Sequence, residues 1–173
     1  MFIQRLFLTI LCLALQVLLF NYIHIMGYAV PLICTFPLLL FPLESPRWEI
    51  LVWGFCIGLV EDAFTNTPGI ACTTFTLIAM LQPALLHIFT PRDEEDKDVH
   101  PVPSAQTLGW SAMIRYLMLT IFIQEAVYYA LELFSLFRWQ EYAYQVLSSW
   151  VLSVLILITF ESFRRPSRHK RNS

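Results

Sequence analysis

The chain has 173 residues, 57% of them hydrophobic and only 14% charged, with a formal net charge of −2 and a mean hydropathy of +0.61. An ordinary soluble domain carries about 25% charged residues, so this composition excludes a solvated globular unit and makes lipid the main solvent.

Apolar runs of about 17 to 25 residues recur along the chain, and in hydrocarbon a segment satisfies its own backbone only as a helix or within a closed barrel. The runs are continuous rather than alternating. The fold class expected is therefore an all-α integral membrane protein with about six transmembrane helices. The spans are expected at Phe2 to Tyr22, Tyr28 to Leu43, Trp48 to Phe64, Ile70 to Phe89, Met113 to Phe137 and Tyr144 to Phe160. They form a single transmembrane domain over residues 1–163, with an acidic loop at 91–107 and a basic tail at 164–173.

The first span follows Arg5, as the core of a secretory signal does, but no small-residue cleavage pattern follows Phe20, and the span is read as retained. The second contains Pro31, Pro37 and Pro42, with Pro46 just beyond, and each removes a backbone donor. A kinked or re-entrant segment there would leave five spans.

The third span ends in an unusual stretch, GFCIGLVEDAFTNTPG, from Gly54 to Gly69. Gly54 and Gly58 lie one turn apart and form a small face that a neighbouring helix can approach closely. Leucine at position 58 is accordingly expected to be more damaging than alanine. Asp62 continues that face, whereas Glu61 points about 100° away, toward the headgroups. Thr67 and Pro68 suit the N-cap and first residue of the fourth span, with Asn66 and Gly69 in the turn. The pattern is a tight hairpin with a carboxylate at its mouth. That carboxylate is expected to accept hydrogen bonds from Asn66 or Thr67 and from the free donors of the next helix, so that Asp62→Asn keeps much of the function.

After the fourth span, the loop holds Asp93, Glu94, Glu95, Asp96 and Asp98 and reads as a solvated linker. The fifth span carries Gln124, Glu125, Tyr128 and Glu132. Of these, Glu125, Tyr128 and Glu132 share one face and are expected to interlock with Gln145, Ser148, Ser149 and Ser153 of the sixth. Gln16 and Gln82 read in the same way. The tail carries Arg164, Arg165, Arg168, Lys170 and Arg171, which anchor topology and attract anionic headgroups.

Short loops rich in Lys and Arg stay cytoplasmic. With six spans, Arg138 alone among the 11 basic residues falls on the far side, so both termini and the acidic loop are expected in the cytoplasm. The four cysteines, Cys12, Cys34, Cys56 and Cys72, fall in apolar runs without close pairing and read as core residues. His24, His87, His100 and His169 are dispersed, and no metal site or cofactor is expected. No nucleophile elbow, phosphate loop or dinucleotide turn occurs, so no enzyme is expected.

Gly54, Gly58, Leu59, Asp62 and Gly69, together with the length, the proline-bearing second span and the basic tail, resemble the rod shape-determining protein MreD family. Glu61 beside Asp62 and the long acidic loop depart from that pattern. The resemblance implies a non-enzymatic component of the bacterial cell-elongation complex in the inner membrane. It would partner an MreC-like bitopic protein and, through the complex, MreB-like filaments and peptidoglycan synthases, without nucleic acid. The fold it implies resembles the substrate-binding subunits of energy-coupling factor transporters. The alternative is therefore a vitamin-like small-molecule binding subunit, with Glu125, Tyr128 and Glu132 lining a polar cavity.

Overall fold

Where the sequence offers an uninterrupted apolar run, a helix fills it. The computed structural model describes residues 2–20, 32–42, 45–90, 103, 108–133 and 139–163. Helix α1 covers Phe2–Leu15 and runs on into a wider π-type turn at Gln16–Phe20. Next come the short α2 at Thr35–Leu39, α3 at Arg47–Thr65, α4 at Ile70–Phe89, α5 at Trp110–Leu133 and α6 at Trp139–Phe163. No strand occurs among the described residues.

Among the described residues, two helices are long and apolar enough to cross a membrane: α4, and α6 over Gln140–Ser162. The expectation was about six such spans. Helices α3 and α5 are of similar length, but Arg47, Glu49, Glu61 and Asp62 on one, and Arg115, Glu125 and Glu132 on the other, lower their hydropathy. The expected bounds of the fourth span coincide with α4. Helices α5 and α6 begin earlier than expected, at Trp110 and Trp139.

The second expected span, Tyr28 to Leu43, is not a spanning helix over its described part, which holds only the five residues of α2. Pro37 is tolerated in the first turn of α2, and Pro42 lies just past its end, where it offers no donor to continue the ladder. All residues from Leu32 to Phe41 are nevertheless buried. An irregular segment thus occupies the interior, the one place in an apolar bundle where neighbours can satisfy its backbone.

Helices α3, α4, α5 and α6 pack in chain order, and α1 lies against α2 and α3. At one end Arg5 pairs with Glu49 at 3.8 Å and stacks over the Phe41 ring at 4.6 Å. The starts of α1 and α3 and the end of the buried segment therefore meet there, so the chain returns to its starting end between α1 and α3.

The outward faces are apolar: Val52, Phe55 and Leu59 on α3, Met80 and Ile88 on α4, Leu119 and Phe122 on α5, and Leu147, Val151 and Leu155 on α6 are all exposed. Gln16, Thr35, Glu61, Thr74, Gln82, Thr120, Gln124, Glu125, Ser149 and Ser153 are buried. This inside-out distribution suits an apolar solvent.

The acidic run Asp93 to Asp98, Arg138, the tail residues Arg164, Arg165, Arg168, Lys170 and Arg171, and His24, His100 and His169 lie outside the described residues.

Candidate functional site

Two polar centres stand out, one at the α3–α4 hairpin and one in the interior. At the hairpin, α3 ends on Asn66 in the left-handed conformation (φ 56°) and α4 starts after Gly69 (φ 90°), where glycine carries no steric penalty. Helix α4 therefore begins at Ile70 rather than at Pro68, and its cap residue is Gly69 rather than Thr67.

Gly69 has no side chain to cap the helix, and Asp62 supplies that function from the facing turn. Its Oδ1 accepts the Ala71 N–H at 2.9 Å and the Thr67 hydroxyl at 3.3 Å. Its Oδ2 accepts the Gly69 N–H at 3.0 Å and the Cys72 N–H at 2.9 Å. One carboxylate thus satisfies three of the orphan donors around a helix start, where the helix dipole also favours negative charge. Asn66 contributes the backbone reversal and makes no bond to this carboxylate. Thr65 Oγ1 lies 2.6 Å from Thr67 Oγ1 and braces the turn.

The glycines set the distance over which this reach works. A Cβ at Gly58 would lie 2.5 Å from Cys72 Cα and 2.7 Å from the Ala71 carbonyl oxygen, and one at Gly54 would lie 2.8 Å from both the Phe75 oxygen and Ala79 Cβ. The small-residue face is therefore used within the chain, against the backbone of α4. Alanine at Gly58 already brings a Cβ against backbone that cannot rotate away, and leucine adds its branched end to the same contact. Leu59, in the same stretch, points outward.

The interior centre is built around Leu32 to Thr35. The Leu32 N–H donates to Ser153 Oγ at 3.2 Å, and that hydroxyl donates to Glu125 Oε1 at 2.8 Å. The Ile33 N–H donates to Gln16 Oε1 at 2.9 Å. Thr35 Oγ1 lies 2.5 Å from Gln124 Oε1 and 3.1 Å from the Leu32 carbonyl oxygen. Farther along, the Leu39 and Phe41 carbonyls accept from the Tyr116 hydroxyl at 3.4 Å and from Gln82 Nε2 at 2.9 Å. Polar side chains from the turn that follows α1 and from α4, α5 and α6 thus converge on one irregular segment.

The face predicted on α5 is divided. Glu125 and Tyr128 are buried while Glu132 is exposed. Ser149 pairs with Tyr129 at 2.7 Å rather than with Tyr128, and Ser148 bonds back to the Tyr144 and Gln145 carbonyls of its own helix. Glu61, expected at the headgroups, is 1% exposed and faces the core. A helix broad enough to bury Ile57 and Gly58 carries the position a turn beyond them inward as well. Cys12 and Cys34 are buried, whereas Cys56 points outward, so not every cysteine is a core residue. Among the described residues, no three His, Cys, Asp or Glu side chains gather as metal ligands would.

No family model, no curated protein and no solved structure matches this chain.

Proposed function

We propose that the chain is a multi-pass, non-enzymatic scaffold of the bacterial inner membrane, of the MreD kind, acting in lateral cell-wall growth with an MreC-like bitopic protein, MreB-like filaments and peptidoglycan synthases. The observation that carries this reading is the α3–α4 hairpin. Gly54, Gly58, Asp62 and Gly69, the residues on which the resemblance rests, act there as one device, with two glycines admitting the α4 backbone and one carboxylate closing its start. A rigid hairpin presenting an apolar outer face is what a membrane scaffold needs for helix-to-helix recognition.

The topology in this reading has six crossings, with the buried segment 32–42 completing the second, and places both termini in the cytoplasm. The meeting of Arg5 with Glu49 supports an even number of crossings between the starts of α1 and α3. The rival reading, a small-molecule binding subunit, calls for an open polar centre. Residues 32–41 fill that centre with the chain's own backbone, which favours the scaffold.

The test is rescue of rod shape in a bacterium depleted of its own MreD protein, with Asp62 variants matched for membrane level. Rescue by the native chain, lost in Asp62→Leu, together with co-purification of the bitopic partner, is the expected outcome. Recovery of an ATPase module instead would overturn the assignment. A cysteine replacing Ser104 should stay inaccessible to an impermeant thiol reagent applied to intact cells.

A further inference from the structure

Helix α4 carries a proline in its interior, Pro83, and what the helix touches changes there. Proline has no N–H for the carbonyl four residues back, and its ring crowds that carbonyl, so the ladder of α4 is interrupted between Ala79 and Pro83. The turns before the break are fastened to α3. Asp62 accepts from the Ala71 and Cys72 N–H groups, and Gly58 and Gly54 leave room for Cys72, Phe75 and Ala79 at a distance where an added Cβ would collide. Beyond the break, Phe89 meets the Tyr116 ring of α5 edge-on, with centroids 6.2 Å apart. The buried segment is gripped from both sides. Gln82, the residue before the proline, donates from Nε2 to the Phe41 carbonyl at 2.9 Å, and the Tyr116 hydroxyl donates to the Leu39 carbonyl at 3.4 Å. The same segment is tied to α5 by Thr35 with Gln124 and to α6 by Leu32 with Ser153.

We propose that Pro83 is a hinge and Gln82 its latch. The two bodies are the α3–α4 hairpin as far as Gln82, and the last turns of α4 together with α5, α6 and the segment they hold. The bond from Gln82 to the Phe41 carbonyl crosses from one body to the other. Sharp bends in helices fall at prolines, and hinges confine a change of backbone angle to a few residues. The close approach of α4 to the glycines of α3 ends at Ala79, so bending cannot spread toward the hairpin and is concentrated at the break. Interhelical hydrogen bonds in membranes are individually weak, which lets one such bond bias two arrangements without fixing either. Gln82 is 1% exposed, so no bulk water replaces the carbonyl once the latch is closed.

The experiment uses the full chain in lipid nanodiscs, with pairs of spin labels on introduced non-natural side chains that leave the four cysteines untouched. Trp48 with Thr73 reads the first body, Leu119 with Tyr144 the second, and Trp48 with Leu119 the distance between them, all at exposed positions. The native chain should give one narrow distance for each pair. Gln82→Leu should add a second distance for Trp48 with Leu119 alone, and Pro83→Ala in that background should remove it. A Trp48–Leu119 distance unchanged by Gln82→Leu would overturn the proposal, as would a second population that survives Pro83→Ala or equal broadening of all three pairs. If Gln82→Leu does not fold, hydrogen exchange of the native chain decides. The Leu85 and Leu86 amides should then exchange faster than those of Phe75 and Ile78, and Pro83→Ala should erase the difference. Equal protection on the two sides of Pro83 in the native chain leaves no hinge.

Discussion

Asp62 and Glu125 are both acidic side chains set in apolar helices, yet their oxygens find partners in opposite ways. Asp62 sits at a helix end, and its two oxygens accept from four donors, all within ten residues along the chain. Glu125 sits mid-helix, is 0% exposed, and receives one hydroxyl from a residue 28 positions away. The first arrangement is local and saturated. The second is assembled from distant elements of the chain. A saturated site resists change and suits a mechanical role, whereas a distributed one depends on the packing of every element that reaches it.

That comparison can be broken by measuring unfolding in mixed micelles. The largest loss is expected for Asp62→Leu, about 3 to 5 kcal/mol, because each hydrogen bond to a charged group contributes about 1.5 to 3 kcal/mol and the abandoned donors stay at a helix start. Asp62→Asn should fall near half of that loss. The amide nitrogen cannot accept, so two of the four bonds go, and the substitution is harsher than the sequence alone suggests. Near-native stability of Asp62→Asn would show that one oxygen suffices.

Gly58→Ala comes next, at about 1 to 3 kcal/mol, since the added methyl meets the Cys72 backbone and the two helices must part. Ser153→Ala should cost about 1 to 2 kcal/mol, within the range for interhelical hydrogen bonds in membranes with some addition for the stranded Leu32 donor. If Ser153→Ala proves as costly as Asp62→Leu, the distinction between a saturated and a distributed site fails. The smallest effect, within about 0.5 kcal/mol, is expected for Leu59→Ala, whose side chain faces outward. Any loss of partner recovery in that variant at unchanged stability would locate an interface on the outer face of α3.

Much of the hairpin was legible in the sequence, because its signals are local. Helix length, glycine spacing and the need of a helix start for an acceptor all operate within a turn or two, so α3, α4 and the reach of Asp62 followed from adjacent residues. The interior was legible only as a set of unpaired ends. Gln16, Gln82, Gln124 and Glu125 were visible as costly polar choices, and the prolines near positions 31 to 42 as breaks, but periodicity carries no information about which distant side chain meets which exposed amide. Joining the two observations would have required asking where a proline-broken segment finds its backbone partners. Glu61 was misplaced for a related reason. Of two adjacent acids at a helix end, only the width of the packed face decides which turns inward.

Biogenesis feels the long reach of the Leu32 bond most directly. The acceptor for Leu32, Ser153, lies 121 residues later, whereas the acceptor for Ile33, Gln16, lies 17 residues earlier. During synthesis, then, one end of the buried segment is provided for almost at once, while the other waits until the final helix has emerged. A nascent chain halted before α6 lacks both partners that Ser153 offers, the acceptor for Leu32 and the donor to Glu125. The order of synthesis therefore leaves the Leu32 amide as the late-satisfied end of the segment, met only when Ser153 of α6 is in place.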